Sequence, residues 1–261
     1  MPNETRPDKM QAGRPVTKAS LARMLSESAP GPDEHASSLY LRPGESLEFL
    51  KASGPNGWNW VDCLAGMGDP VLRSDTGIAG LQAGAEGLII VPPFPLTETR
   101  LVPNWDPHPL LALLEAEYTV GVVLLRLGRF SVAVYRGDRL LSSKTDARYV
   151  KGRHAAGGTS ELRFQRVREG QIRRIYDKTC EAAQSQLGPY AGDLDYLFLG
   201  GEKFTLNGFL KVCPYLERFQ GITLGRRLNI RDPKRDTLEQ VPAILGESRV
   251  YCFRWSNKNE T

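Results

Sequence analysis

The chain has 261 residues, a net charge of +4 and a hydrophobic fraction of 41%, which are ordinary values for a globular protein of one or two domains. Its four cysteines, Cys63, Cys180, Cys213 and Cys252, are widely separated and form no Cys-x-x-Cys pair. This spacing argues against a zinc ribbon or a disulfide framework and predicts four plain thiols in a reducing compartment. Residues 1–16 lack the apolar run of a signal peptide, and no segment is apolar for long enough to cross a membrane, so we expect a cytoplasmic protein.

The first part of the chain is expected to hold a disordered tail, residues 1–16, and a small α+β lobe, residues 17–108. Within this lobe the pattern predicts helices at 17–28, 43–52 and 77–87, strands at 38–41 and 87–91, and a turn-rich segment at 54–60. Trp58 and Trp60 are expected to pack a small core. No motif in the lobe indicates a chemical reaction.

Residues 109–256 are predicted to form a second, larger domain. Its elements, in chain order, are a helix at 109–116, strands at 118–127, 129–136 and 139–143, a helix at 161–187, a strand at 194–199, a helix at 203–212, a strand at 225–230, a helix at 232–245 and a closing strand at 249–255. The first three strands are apolar or alternating and are joined by short turns, which predicts an antiparallel meander. With the helices added, the fold class is α/β, a mixed sheet with helices on its faces.

Positive charge is concentrated in one segment of this domain. Residues 144–178 hold ten Lys or Arg against four Asp or Glu, a net charge of +6 in a chain whose total is +4. Because the rest of the chain is slightly acidic, this concentration indicates a binding site for a polyanion.

A glycine-containing loop, residues 151–160, separates the third strand from the long helix. Gly157 and Gly158 permit backbone angles that other residues avoid. A glycine loop that enters a helix presents free N–H groups and the positive end of the helix dipole, which suits an anion or a polarised carbonyl. The alternative interpretation is a flexible linker followed by a helix with a solvated basic face.

Two runs of sequence carry a resemblance to a known family. They are TVGVVLLRLGRFSVAVYRGDRLLSSK at 119–144 and YVKGRHAAGGTSELRFQRVREGQIRRIYD at 149–177. The meander, the basic Gly-Gly loop and the RFxRxRExQ run from Arg163 resemble the catalytic middle domain of eukaryotic and archaeal peptide chain release factors. They are more similar still to the bacterial Vms-type release-factor-like proteins of ribosome quality control. The resemblance covers roughly residues 109–255 and implies an RNase H-like sheet.

The resemblance also implies a function, peptidyl-tRNA hydrolysis. Such proteins bind the large ribosomal subunit and its ribosomal RNA, insert the glycine loop into the peptidyl-transferase centre, and free the nascent chain from a stalled peptidyl-tRNA. The resemblance implies no cofactor, metal or membrane, and we expect a monomer. The catalytic candidates carried over to this sequence are Gly157, Gly158, Thr159, Ser160, Glu161 and Gln165. The RNA-binding candidates are Arg148, Lys151, Arg153, His154, Arg163, Arg166, Arg168, Arg173 and Arg174.

Glu161 departs from the family pattern, because bacterial relatives commonly have glutamine after Gly-Gly-x-Ser. A glutamine donates and accepts hydrogen bonds, whereas an ionised glutamate only accepts, and phosphates repel it unless it is protonated or paired. Glu161 could act as a general base on water, or it could be a first-turn glutamate that the helix dipole favours. Gln165 lies one helical turn further on and could substitute for the missing glutamine.

Three functions therefore stay open at this stage: an active peptidyl-tRNA hydrolase, a non-catalytic ribosome- or tRNA-binding factor, and a tRNA 3′-end endonuclease. The nuclease would need a cluster of carboxylates for two metal ions, and Asp193 with Asp195 is the nearest pair. His154 could contact a phosphate or act as a base. Arg226, Arg227 and Arg235 could extend the RNA surface or simply face solvent.

Overall fold

A computed structural model describes residues 9–31, 34–45, 48–52, 55–150 and 159–255. The chain divides into two compact units, one made of Met1–Ala116 with Leu245–Thr261 and the other of Glu117–Ile244. Two sheets with flanking helices confirm the predicted mixed α/β class. No helix in the described ranges is both long and apolar enough to span a membrane.

The first unit is built on an antiparallel sheet, which has seven strands within the described residues and runs in the order β1-β12-β5-β4-β3-β6, with β2 also paired to β12. Numbered along the chain, the strands are β1 (Lys9–Met10), β2 (Arg14–Val16), β3 (Ala36–Leu41), β4 (Ile78–Ala83), β5 (Glu86–Val91), β6 (Arg100–Val102) and β12 (Ser248–Arg254). Its helices are α1 (Lys18–Glu27), α2 (Glu48–Ala52), α3 (Pro55–Ala65), α4 (Asp69–Leu72) and α5 (His108–Glu115).

The core of the first unit confirms the predicted packing of Trp60, whereas the side chain of Trp58 lies outside the described part of the structure. Trp60 is buried and meets Phe253 edge-to-face, with 6.0 Å between the ring centroids. The side chain of Thr17 caps α1, as expected for a helix that begins after a threonine. The predicted helix at 77–87 is wrong, because β4 and β5 form a hairpin whose turn has Gly84 at φ +52°. The turn-rich prediction for 54–60 is also wrong, because α3 begins at Pro55.

Both ends of the chain correct the predicted organisation. Arg14–Val16 pairs with β12, and Lys9–Met10 pairs with the end of the same strand, so this part of the expected disordered tail is strand. The last strand was expected to close the second domain. Instead Ser248–Arg254 lies antiparallel to β5 in the first unit, with Val250 opposite Ile90. Its inward-facing apolar residues complete that core, a long-range pairing that local sequence patterns do not specify.

The second unit carries the sheet predicted from the resemblance. Over the described residues it has five strands in the order β11-β10-β7-β8-β9, namely β7 (Thr119–Arg126), β8 (Arg129–Arg136), β9 (Arg139–Ala147), β10 (Tyr196–Gly201) and β11 (Thr223–Leu228). The predicted meander is confirmed, because β8 is antiparallel to both β7 and β9, whereas β10 is parallel to β7 and β11. The helices are α6 (Thr159–Leu187), α7 (Lys203–Leu210), α8 (Arg235–Leu238) and α9 (Val241–Leu245).

A different part of the chain packs on each face of this sheet. The second half of α6 packs with α7 against one face through a continuous apolar core that includes Ile175, Ala183 and Phe209. The segment 231–244 crosses the other face, where the Tyr135 hydroxyl donates to the carbonyl oxygen of Leu238 at 2.9 Å. β7 is therefore buried on both sides, which explains its unbroken apolar sequence.

A disulfide joins two of the predicted thiols. Cys180, on α6, is bonded to Cys213, just after α7, across 33 residues of sequence. Cys63 and Cys252 are free thiols. The prediction of four plain thiols is wrong for this pair, because the packing of α6 beside α7 brings together cysteines whose spacing in the sequence gave no indication of contact.

Candidate nucleic-acid interface

The ends of four strands and the start of a fifth form one edge of the second sheet, here called the carboxyl edge. Parallel pairing places the ends of β7, β9, β10 and β11 at this edge, and β8 begins there. The registers set Gly201 beside Leu125, Arg126 opposite Arg129, and Arg129 opposite Ala147. The connection from β9 to α6, which includes the glycine loop, therefore leaves from the carboxyl edge. Ligands of open α/β sheets bind at the equivalent edge.

Helix α6 has two halves with different surroundings. Between residues 163 and 170, seven of the eight residues are exposed, including Phe164 and Val167. From Ile175 to Leu187 the apolar face is buried against the sheet. With a rise of about 1.5 Å per residue, the part before Ile175 is roughly 24 Å long. Apolar residues at helical spacing, such as Phe164, Val167 and Ile175, therefore begin on an exposed segment and continue onto the buried one.

The exposed half of α6 is strongly basic. The exposed arginines are Arg163, Arg166, Arg173 and Arg174, and Arg168 is half-buried. Burial raises the pKa of the nearby Tyr176 hydroxyl, and the positive charge of Arg168 partly opposes that increase. Arg173 forms an ion pair with Asp177 at 3.0 Å. Among the described residues, no carboxylate lies within ion-pair distance of Arg163, Arg166 or Arg174. These three side chains are exposed to solvent.

The catalytic candidates are only partly within the described ranges. Gly157, Gly158, Lys151, Arg153 and His154 lie outside them, so the assignments to these residues stay predictions. Thr159, Ser160 and Glu161 are the first three residues of α6.

Gln165 can be placed in more detail, because its amide donates to the carboxylate of Glu169 at 2.8 Å. In this arrangement the amide is engaged one turn further along the helix, away from the loop.

Two arginines that the sequence reading missed are held in place at the carboxyl edge. Arg126 donates to the carboxylate of Glu202 at 2.8 Å and to the carbonyl oxygen of Arg231 at 2.6 Å. Arg129 lies 3.3 Å from the carboxylate of Asp232. These residues lie at strand ends, outside the basic segment 144–178, and the fold brings them to partners that are far away in the sequence.

Asp232 is the centre of a small charged group. The ammonium group of Lys234 lies 2.9 Å from one carboxylate oxygen of Asp232, and Arg129 contacts the other oxygen. The hydrogen bond from Lys234, followed by the nearby charge of Arg129, holds the pKa of Asp232 below its usual range. The carboxylate stays ionised and fixes the positions of both cations.

Arg148 lies where the chain leaves β9. Its guanidinium is 2.9 Å from the carboxylate of Asp146. The backbone N–H of Arg148 donates to the carbonyl oxygen of Gly128 in the β7–β8 turn. Gly128 has φ +107°, a conformation that favours glycine. The first residues after β9 are thus tied to the edge, with the ring of Tyr149 77% exposed.

The three arginines that could extend the basic surface, Arg226, Arg227 and Arg235, differ in their surroundings. Arg226 lies 5.2 Å over the ring of Phe198 and donates to the carbonyl oxygen of Ile244, which indicates a structural contact. Arg227 and Arg235 are exposed.

Asp195 accepts a hydrogen bond from the N–H of Thr119, at the edge opposite the glycine loop. The acid pair considered for a nuclease therefore lies away from the loop. Across the described residues no group of three or more His, Cys, Asp or Glu side chains could hold a metal ion.

Comparison with known proteins gives one family match. The model of the Actinobacteria/chloroflexi VLRF1 release factor matches residues 118–250. Peptide chain release factor subunit 1 of Archaeoglobus fulgidus is 32% identical over 117 residues, and its homologue from Methanosphaera stadtmanae is 30% identical over 103 residues. These alignments cover 45% and 40% of this chain, but only 29% and 25% of the two relatives. Among solved structures, the Vms1 mitochondrial localization core is similar with a TM-score of 0.36 and 14% identity, over 66% of this chain and 74% of that one.

Proposed function

The chain belongs to the Actinobacteria/chloroflexi VLRF1 release factor family, and on that premise we propose that it is a cytoplasmic peptidyl-tRNA hydrolase of ribosome quality control. Its substrate is a peptidyl-tRNA stalled on the large ribosomal subunit, and its RNA partners are that tRNA and ribosomal RNA. The reaction is the attack of water on the ester that joins the nascent chain to the tRNA, which yields a free carboxylate and a tRNA with an intact 3′ end.

One observation supports the proposal most strongly. The connection that contains Gly157 and Gly158 leaves the carboxyl edge and leads into α6, which is basic and largely exposed between residues 163 and 170. A loop that must enter a crowded RNA cavity needs a narrow tip, and it needs cations on the flanking helix to hold phosphates. The end of β9 and the exposed half of α6 provide this arrangement on both sides of the loop.

The chemistry needs groups that place water and stabilise the oxyanion of the tetrahedral intermediate. Backbone N–H groups at the start of α6, together with the positive end of its dipole, suit the oxyanion. In this proposal Glu161, the third residue of α6, acts on the attacking water and not on the oxyanion, because an ionised carboxylate accepts hydrogen bonds and cannot donate them. The dipole favours the ionised form of a first-turn glutamate.

A non-catalytic binding factor is the second candidate, and the identity of Glu161 favours it. Replacement of the family's usual glutamine removes a donor at this position. Such a protein would use the basic half of α6 to bind stalled subunits without releasing the chain. Both candidates make the same RNA contacts and differ only in turnover.

Release of nascent chain from purified large subunits carrying peptidyl-tRNA separates the candidates. The wild type, Gly158→Val and Glu161→Gln are compared, with subunit binding measured in parallel. Hydrolysis predicts release by the wild type and loss of release, with binding retained, in Gly158→Val. A silent wild type with an active Glu161→Gln variant would identify the binding factor. The 3′ end of the product tRNA is analysed on a gel, because a shortened tRNA would contradict hydrolysis and indicate a nuclease.

A further inference from the structure

Two aromatic residues at the carboxyl edge are highly exposed. Tyr149, two residues after β9, is 77% exposed, and Phe204, three residues after β10, is 81% exposed. The other exposed large hydrophobic side chains of the described residues, Leu140, Phe164, Val167 and Leu210, are between 37% and 48% exposed. Single exposed apolar side chains are common on protein surfaces, so the significance of these two residues depends on what lies between them.

The positions of the rings follow from the order of the strands. β7 and β8 lie between β10 and β9, so the two rings flank the ends of those central strands. With neighbouring strands about 4.8 Å apart, the ends of β9 and β10 are separated by about 14 Å. Arg126 and Arg129 occupy the interval. The strand order therefore places Arg126 and Arg129 between the two strand ends that lead to Tyr149 and Phe204.

The two cations are fixed but not enclosed. Glu202 and the carbonyl of Arg231 hold Arg126, and Asp232 holds Arg129. About a third of each arginine side chain is nevertheless exposed, 35% for Arg126 and 34% for Arg129. A guanidinium has five N–H donors, so each can hold its protein partner and still donate to a ligand oxygen.

From this alternation we propose that the carboxyl edge binds unpaired RNA, with bases stacked on Tyr149 and Phe204 and the phosphates between them held by Arg126 and Arg129. The inference rests on the proposed function and deepens it, because it names single-stranded RNA as the partner of this edge. Single-stranded nucleic acid alternates flat apolar bases with charged phosphates, and proteins recognise it with aromatic rings and cations in the same alternation. In duplex RNA the base faces are already stacked on one another, so they cannot stack on Tyr149 or Phe204.

A protein partner fits this edge less well. The centres of protein interfaces are depleted of charged residues and bring apolar side chains together in one patch. Here Tyr149 and Phe204 are separated by arginines, and Lys203 adds a further exposed charge next to Phe204. The charge and the spacing both match a polyanion with stackable bases.

The test measures binding of the full chain to a short, unstructured RNA by fluorescence anisotropy, with the same sequence as a duplex in a parallel series. We expect Phe204→Ala and Tyr149→Ala each to weaken binding of the single strand about 5- to 150-fold, the range measured when one base loses its aromatic partner. Phe204→Tyr and Tyr149→Phe retain the ring and should bind as the wild type does. Leu140→Ala removes an exposed apolar side chain at the opposite edge and serves as the control.

The outcomes separate this inference from the hydrolase proposal. Alanine variants that bind the single strand as tightly as the wild type overturn it, and so do equal losses on single strand and duplex. An unchanged RNA affinity in a variant that loses capture of a purified ribosomal protein would assign the rings to a protein partner, which also overturns it. A ring-dependent affinity for unpaired RNA in a protein that releases no nascent chain would support this inference and contradict the hydrolase.

Discussion

The guanidinium of Arg126, at the end of β7, donates to the carboxylate of Glu202, just before α7, over 2.8 Å. The same guanidinium reaches the carbonyl oxygen of Arg231, so one side chain joins three connections of the carboxyl edge. The pair is partly exposed, 35% for Arg126 and 61% for Glu202, and such pairs contribute only about 0.2–1 kcal/mol to stability. Its main effect is to fix the position of a cation.

Glu202→Gln should therefore leave the fold stable and strengthen RNA binding. The change removes one negative charge beside Arg126 and keeps an acceptor for its guanidinium. The interaction energy between a charge and a phosphate a few ångströms away is about 1 kcal/mol in water. The affinity for RNA should therefore rise about fivefold at low salt, and this gain should shrink as the salt concentration approaches 0.15 M. Binding of unpaired RNA at two salt concentrations measures the effect. Glu217→Gln, in the 3-10 segment before the start of β11, is the control and should change nothing. Weaker binding by Glu202→Gln would contradict the assignment of the edge to RNA.

Gly201 is predicted to be essential for the turn from β10 to Glu202. It has φ +133°, and a Cβ at this position would overlap the carbonyl oxygen of Leu125 on β7. Gly201→Ala should destabilise the protein by about 1–3 kcal/mol or more, because both the backbone conformation and the contact are unfavourable. Urea unfolding measures the change.

Gly170→Ala is the matched control for that experiment. Gly170 lies in the exposed half of α6, and a Cβ there meets nothing within 4 Å. Alanine should stabilise the helix by roughly 0.5–1 kcal/mol through its higher propensity. Equal effects of the two substitutions would contradict the proposed role of Gly201.

Local pattern was sufficient for most of the second unit. The alternation in 129–136 and the unbroken apolar run of β7 predicted the meander, and apolar residues at helical spacings up to Leu187 predicted α6. The pairing partner of Ser248–Arg254 was not predicted, because the sequence of a short apolar strand does not indicate which sheet it joins. The arginine pair at the carboxyl edge was missed for a related reason. Arg126 and Arg129 lie outside the basic segment, and their partners Glu202 and Asp232 are more than 70 residues away.

The disulfide predicts a specific thiol count. In denaturant without a reducing agent, two thiols per chain should react, those of Cys63 and Cys252, and four should react after reduction. In the native protein Cys63 should react slowly, because burial raises its pKa to about 12 and leaves almost no thiolate at neutral pH. Four reactive thiols in the unreduced, denatured chain would disprove the bond.

Removal of that bond should also weaken the second unit. The bond closes a loop of 33 residues, and in the chain-entropy account such a cross-link contributes about 2–4 kcal/mol. The double variant Cys180→Ala, Cys213→Ala should therefore unfold at lower urea concentration than the wild type. The urea midpoint of the reduced wild type should lie between those two midpoints or equal that of the double variant. Addition of reductant to the double variant should have no further effect, which controls for other actions of the reagent.

Asp232 predicts a stability change on the acid side. Its folded pKa lies below the ordinary value because Lys234 and Arg129 favour the carboxylate. A carboxyl with a lowered pKa stabilises the fold above its unfolded pKa, and this contribution is lost as the pH falls through the lower, folded value. Asp232→Asn should therefore flatten the dependence of stability on pH below about pH 4, with little change in the slope above pH 6. Urea unfolding over pH 2–7 measures it, and identical pH profiles for the two proteins would remove the role of this carboxylate.

The basic half of α6 predicts the salt dependence of subunit binding. Each cation that neutralises a phosphate releases a counterion, so its removal lowers the slope of log K against log salt by about 0.7–0.9. Arg163→Gln and Arg166→Gln together should lower the slope by roughly 1.4–1.8 and weaken binding at low salt, because neither side chain has a carboxylate partner among the described residues. Lys178→Gln is the control, since Lys178 is already paired with Glu181 on the packed half of the helix. The affinity of purified large subunits, measured between 50 and 200 mM salt, gives the slopes. An unchanged slope in the double variant would mean that the exposed half of α6 does not contact RNA phosphates, and the proposal would then depend on the carboxyl edge alone.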